Sequence, residues 1–352
     1  DGTIDIINYV PEEKTLTLEP ERINRLLGTK ITKEDMVKYL NLLEIEVEGD
    51  TIKVPSFRPD LNLMADIAEE VGRSYGYNEI PTTPFKTSTQ GGYSPEMLLE
   101  AKAGQLCRSL GFSEIITYSF VSPAIFDNIR IPADSALRNA MRIQNPLGED
   151  TSIMRTIALP SMLEILSRNN AYHNKSVDLY ELAKIYLPRE NDLPEEPKML
   201  LLGSYGSNVN FFTLKGQLEA VFAGLRVEKS SYVADKTNPS YHPGRCAMVS
   251  INGIDLGYMG QVHPLVASNY GIDSEVYCAE INLTALFDLQ LPEATYVPLP
   301  KYPTVNRDLA VVCDESLTVA QVENTISTAA GKLLRSIRLF DIYRGIGIPE
   351  GK

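Results

Sequence analysis

Val54-Pro55-Ser56-Phe57-Arg58-Pro59-Asp60 is followed, after five residues, by Asp66-Ile67-Ala68-Glu69-Glu70-Val71-Gly72-Arg73-Ser74-Tyr75-Gly76-Tyr77. The second run reads as a helix over about residues 63–75, with Asp60 just before it. Asp66, Glu69 and Glu70 stand at i, i+3 and i+4, so the three carboxylates share one helix face. Asp60 is placed to fold back toward that face. Like charges at this spacing repel by a few tenths of a kcal/mol unless a cation or a basic partner lies near. Four clustered oxygen donors suit a hard cation such as magnesium, which takes one or two direct carboxylates and keeps several waters. The same residues also read as an ordinary helix start: acids favour the first turn through the macrodipole, and Glu69 with Arg73 is a common i, i+4 pair. Spacing alone leaves both readings open.

Working outward from this stretch, Pro20 suits the start of a short helix that Gly28 stops. Thr32 caps a second helix, with Asp35 three residues on, and Met36, Val37, Leu40 and Leu43 give it an apolar face. Residues 45–54 alternate on either side of Gly49-Asp50 and predict a hairpin. Two helices, a hairpin and a third helix make a small winged-helix-like domain over residues 11–85, preceded at 1–10 by a linker or the end of another domain. A DNA-binding unit of this type needs a basic recognition helix, and this third helix is acidic.

Residues 90–292 predict an antiparallel α+β sheet. Ser94-Pro95 starts a helix that Gly111 ends. Strands are expected at 114–120, 176–187, 199–204, 245–251, 254–260 and 275–283. Helices are expected at 160–170 and 214–225, inserted on one side of the sheet, and 190–197 reads as a polar loop. Asn252-Gly253 is a strong two-residue hairpin signal. No G-x-G-x-x-G or P-loop pattern supports a doubly wound sheet instead. Beyond Pro298-Leu299-Pro300 the expectation is strand (308–313), helix (capped by Thr318 with Gln321, stopped by Gly331) and strand (335–343). That is half of a ferredoxin-like unit.

The net charge is −13 in 352 residues. Residues 300–352 carry a net +1, so the acidity belongs to the body and argues against a large nucleic-acid face there. Lys332, Arg335, Arg338 and Arg344 form a local basic cluster. No run of about 18 apolar residues is present to cross a membrane. Asp1-Gly2-Thr3-Ile4-Asp5 has no signal pattern and reads as the interior of a longer chain. Cys107, Cys246, Cys278 and Cys313 lie far apart, which points to reduced thiols and not to a zinc site. The histidines His173, His242 and His263 fall in turns or polar segments, and no nucleophile–base arrangement is apparent. No catalytic residue is assigned.

Residues 54–60 and 66–81 closely resemble the fifth domain of phenylalanine–tRNA ligase β subunits. Asn145-Pro146-Leu147, Met154-Arg155, Leu159-Pro160-Ser161-Met162-Leu163 and His242-Pro243-Gly244-Arg245 resemble that subunit's core. Lys301-Tyr302-Pro303-Thr304-Val305-Asn306-Arg307-Asp308-Leu309-Ala310 resembles the start of its ferredoxin-fold anticodon-binding domain. The resemblance implies a class II aminoacyl-tRNA synthetase-like core that is not itself catalytic, and a truncated final domain over 300–352. It implies a magnesium site at Asp60, Asp66, Glu69 and Glu70, shared with the catalytic α subunit that binds phenylalanine and ATP. It further implies an α2β2 heterotetramer, tRNA-Phe as partner, and a cytoplasmic setting. Phe57-Arg58-Pro59-Asp60 also resembles the F-R-x-[DE] signature of class II synthetases, but Pro59 removes a ladder donor and the segment enters a helix. A free-standing winged-helix regulator with a synthetase-derived ligand-binding domain is the alternative function.

Overall fold

The computed structural model describes residues 2–8, 12–84, 86, 90–227, 229–289, 291–292 and 294–352. Of the expected 1–10 linker, Asp1, Tyr9 and Val10 lie outside the described residues, as do the border positions Pro11 and Phe85. The chain forms two compact units, Asp1–Tyr93 and Ser94–Lys352.

The first unit runs β1 (Lys14–Thr17), α1 (Pro20–Leu27), α2 (Lys33–Leu42), β2 (Glu46–Glu48), β3 (Thr51–Val54) and α3 (Met64–Tyr75). Pro20 opens α1, and Gly28, at φ 70, ends it by donating its N–H to Asn24. Thr32 caps α2 by accepting from the Asp35 amide at 3.2 Å. The expected hairpin forms, and β1, absent from the sequence reading, adds a third antiparallel strand in the order β1-β3-β2. Only Leu16 among its four residues is apolar, too little pattern to mark a strand. Ile23, Met36, Leu40, Ile45, Ile52, Ile67 and Val71 meet in one core.

The second unit is organised by a seven-stranded sheet. Its strands are β4 (Ser113–Glu114), β7 (Val177–Lys184), β10 (Lys198–Tyr205), β11 (Ser231–Ala234), β12 (Tyr241–Ile251), β13 (Ile254–Val262) and β14 (Val276–Asn282). They lie in the order β11-β12-β13-β14-β10-β7-β4. Only β4 runs parallel to its neighbour. Two small ladders complete the strands: β5 (Phe120–Val121) with β6 (Ile153–Met154), and β8 (Leu187–Arg189) with β9 (Asp192–Glu195). The β12–β13 turn has Asn252 at φ 52 and Gly253 at φ 80, the two left-handed residues a type I′ turn demands.

Helices cover both faces of this sheet, not one as expected. α4 (Pro95–Ser109), α7 (Phe211–Gly224) and α9 (Leu283–Asp288) pack with Leu200, Leu202, Ala247 and Val249. α5 (Ile125–Asn128), α6 (Leu159–Ala171) and α8 (Pro264–Asn269) pack with Leu179, Leu201, Cys246 and Cys278 on the opposite face. The reason is visible in β10 and β14: nearly every residue is buried, and a strand apolar on both sides needs cover on both.

Other expectations need correction. Residues 114–120 are not a continuous strand, because after β4 the chain is tied by side chains; the Thr117 amide donates to Glu181 at 3.0 Å, and β5 begins only at Phe120. The polar segment 190–197 contains β9, since Asn191 at φ 56 turns the chain back onto β8. Near the C-terminal end, α10 (Val319–Ala330) forms with the expected Thr318–Gln321 capping box and Gly331 stop. The flanking strands at 308–313 and 335–343 do not form ladders. In a split β-α-β arrangement the two strands are separated by a third, and residues 300–352 supply none to fill that gap. Val311, Val312, Leu339 and Phe340 are accordingly exposed.

Candidate functional site

The turn at 55–63 delivers Arg58 and Asp60 beside α3. Arg58 donates to its neighbour Asp60 (Nε–Oδ1 3.0 Å, Nη2–Oδ2 2.7 Å) and across the turn to Glu70 Oε1 at 2.7 Å. Arg73, one turn after Glu70, donates to its other oxygen, Oε2, at 2.6 Å. Glu70 is buried, with both carboxylate oxygens held by guanidinium groups. Arg58, burial opposing and Arg73 assisting, holds its carboxyl below the usual range. Arg58 likewise lowers Asp60.

Asp66 has a different task. Its Oδ2 accepts from the amides of Asn62 and Leu63, each at 2.7 Å, closing the open N-terminus of α3. Those two backbone bonds lower its pKa first, and the nearby Asp60 opposes them. Glu69 is exposed. Thus the structure joins Asp60 and Glu70 through Arg58, sets Asp66 on the helix end, and leaves Glu69 in solvent. Among the described residues no group of three or more His, Cys, Asp or Glu is gathered as a metal cluster. The repulsion expected along this helix face is relieved by Arg58, Arg73 and two amides. Arg73 pairs with Glu70 at i+3, not with Glu69.

The second unit holds a polar group that the sequence reading missed. Arg155 and Glu181 are both buried, 3.5 Å apart. Arg155 also donates to Thr117 Oγ1 at 2.7 Å and to the Lys184 carbonyl at 2.8 Å. Glu280 sits on β14 with Leu201 between it and Glu181, and accepts from the Ala158 amide at 2.8 Å at the start of α6. Burial raises its carboxyl to about 7, against the pull of the Ala158 amide and Arg155. The signal was a lone acid inside each apolar run, Leu179-Tyr180-Glu181-Leu182 and Cys278-Ala279-Glu280-Ile281.

The fully exposed or half-buried histidines lie elsewhere. His173 is exposed in a left-handed turn at φ 59, while His242 and His263 are half-buried at the ends of β12 and β13. Cys107, Cys246 and Cys278 are buried with thiols pushed above their ordinary value by desolvation, so none is poised as a nucleophile.

The first unit thus carries an acidic turn held by arginines, and the second an α+β sheet with buried charge. Residues 16–77 match the family described as tRNA synthetase B5 domain, and residues 300–352 match the ferredoxin-fold anticodon binding domain. Residues 80–283, more than half the chain, match the phenylalanyl tRNA synthetase beta chain CLM domain, and the chain belongs to that family. It is similar to the phenylalanine–tRNA ligase beta subunits of Clostridium tetani (45% identity) and Clostridium acetobutylicum (43%), each match covering 100% of this chain and 45% of the relative. That of Moorella thermoacetica is 37% identical over 99% of this chain and 45% of its own. The chain thus spans a little under half the length of these relatives. A pyrrolysyl-tRNA synthetase structure from Desulfitobacterium hafniense covers 74% of this chain and 90% of its own at TM-score 0.49 and 13% identity, a likeness on which nothing rests.

Proposed function

We propose that this chain is the part of a phenylalanine–tRNA ligase β subunit that docks the catalytic α subunit and helps hold tRNA-Phe, without an aminoacylation centre of its own. The observation that carries this reading is the second unit's sheet, packed by helices on both faces and closed by the Arg155, Glu181 and Glu280 group. A sheet so covered serves as a scaffold. Residues 11–85, 90–292 and 300–352 are its working domains: a winged-helix-like unit, a class II synthetase-like core, and part of an anticodon-binding domain. ATP and phenylalanine are handled by the α subunit of an α2β2 heterotetramer in the cytoplasm.

Within the first unit, Asp60, Asp66, Glu69 and Glu70 are the residues that would hold magnesium. Their oxygen donors fit a hard cation. Arg58 engages Asp60 and Glu70, Arg73 also holds Glu70, and two amides hold Asp66, so metal binding requires these donors to give way. When bound, the ion would supply positive charge at the docking surface; this chain's own residues position the turn at 55–63 and neutralise Glu70.

The test is reconstitution. The chain alone should show no ATP–pyrophosphate exchange with phenylalanine, and mixing with a catalytic α subunit should give a co-eluting complex. Robust exchange by the chain alone, or no complex with α, overturns the proposal. Manganese titration followed by electron paramagnetic resonance tests the metal residues: binding should strengthen with α present and weaken in Asp60→Asn and Glu69→Gln.

A further inference from the structure

The Tyr241-His242-Pro243-Gly244-Arg245 motif and the Gln261-Val262-His263 strand end remain without a role in docking or metal binding. They belong together. Tyr241 pairs with Val262 across β12 and β13, and the His263 amide donates to the Ser240 carbonyl at 2.9 Å. His242 follows Tyr241 and His263 follows Val262, so the two histidines flank this pair at one corner of the sheet. A third element closes on this corner. Ser240 Oγ donates to the Ile129 carbonyl at 2.6 Å, and Arg130, in a left-handed conformation at φ 64, donates to the Pro239 carbonyl at 3.2 Å. One exposed guanidinium and two half-buried imidazoles therefore share one corner of a chain that carries −13 overall.

The hydrogen bonds fix what the imidazoles do. His242 Nδ1 accepts from the Gly244 amide at 3.0 Å, and His263 Nδ1 accepts from the Leu265 amide at 3.1 Å. With each Nδ1 lone pair occupied, the ring proton resides on Nε2. Both rings are thus N–H donors through Nε2 even when neutral, and neither offers a free lone pair to a metal ion. Two acids, Glu275 and Asp127, are already engaged. Glu275 accepts from Arg245 at 2.9 Å and from the Tyr277 hydroxyl at 2.7 Å, and Asp127 accepts from Arg138 at 2.6 Å. His263 is held below its ordinary value by burial first and then by Arg130 and His242, as groups of one sign would do. A corner made of donors and fixed positive charge recognises an oxyanion.

We propose that His242, His263 and Arg130 form a phosphate-binding site on the second unit, distinct from the acidic turn of the first. The two Nε2–H groups and the guanidinium donate to phosphate oxygens, whether of a free phosphate, a nucleotide or an RNA backbone.

The chain has three histidines, so long-range proton–nitrogen spectra of the imidazoles read this site directly, with the exposed His173 as an internal reference. His242 and His263 should show the Nε2–H tautomer. Inorganic phosphate should shift both in a saturable manner and leave His173 in place, while equal concentrations of sodium chloride do not. Arg130→Gln should weaken the response about tenfold, the scale of one charge-assisted contact. Adenosine monophosphate and a short single-stranded RNA, titrated in parallel, identify the source: a response to RNA alone assigns a backbone phosphate, and equal responses assign a free anion. Absence of any shift with all three probes, equal shifts at His173, or an unaltered response in Arg130→Gln would overturn the site. Circular dichroism of Arg130→Gln, expected to match the parent because Arg130 is exposed, separates lost binding from lost fold.

Discussion

Glu280→Gln should stabilise this protein above neutral pH and leave it unchanged in mild acid. Glu280 is buried on β14 against the start of α6, and its carboxyl is raised from 4.5 to about 7. A group whose folded pKa lies above its unfolded one binds its proton more tightly in the native state. Its contribution is fully present below pH 4.5 and is lost as pH rises through 7. The interval between those two values corresponds to about 3 kcal/mol once Glu280 is ionised in the folded chain. Gln keeps the carbonyl oxygen that accepts from the Ala158 amide and removes the titration. It also corrects the local charge, leaving Arg155 with Glu181 alone. At pH 8 the variant should therefore melt higher by roughly 6–12 °C, taking about 2–4 °C per kcal/mol for a unit of this size. At pH 4.5 the two should coincide. Asp60, Asp66 and Glu70, whose pKa values are lowered, tilt stability the other way, but they are common to both proteins and cancel in the difference. Paired thermal melts by circular dichroism across pH 4.5–8 are the assay. A gap that is flat with pH, or that has Glu280→Gln less stable at pH 8, refutes the reasoning.

Arg155→Met should destabilise the second unit by about 3–5 kcal/mol, because Glu181 is left buried without its guanidinium; adding Glu181→Leu should recover much of that loss in urea unfolding. Gly203→Ala should cost about 1–3 kcal/mol by calorimetry, since a Cβ there would lie 2.6 Å from Met162 Sδ, on α6. Gly260→Ala should fail to give soluble folded protein on expression, as its Cβ would lie 2.2 Å from the Arg245 carbonyl oxygen, a backbone atom that cannot swing aside, at a φ of 159°. In the first unit Asp66→Ala should lower the melting point, and Glu69→Ala should leave it unmoved, because only Asp66 closes the end of α3.

What the sequence made legible follows from how far each signal reaches along the chain. Caps and turns are written in adjacent residues, so Thr32, Gly28, Asn252-Gly253 and the Thr318–Gln321 box were readable and formed as expected. The acidic face of α3 was equally local. Its partner was not: Arg58 lies twelve residues before Glu70, and only the proline turn at 55–59 brings it back. Spacing therefore suggested self-repulsion where the fold supplies two guanidinium groups and two amides. The same limit hid the buried polar group, since Glu181 and Glu280 are joined only by the strand order β14-β10-β7, and Arg155 reaches them from the segment after β6. It also hid the second helical layer, because a strand buried on both faces looks in sequence like any short apolar run. Charge inside such a run is the trace that tertiary structure leaves in sequence. Glu181 and Glu280 each interrupt one, and each is buried beside Arg155 or a helix amide. An acid that an apolar strand retains needs a donor waiting on the next element, and here that need ties the start of α6 to the centre of the sheet.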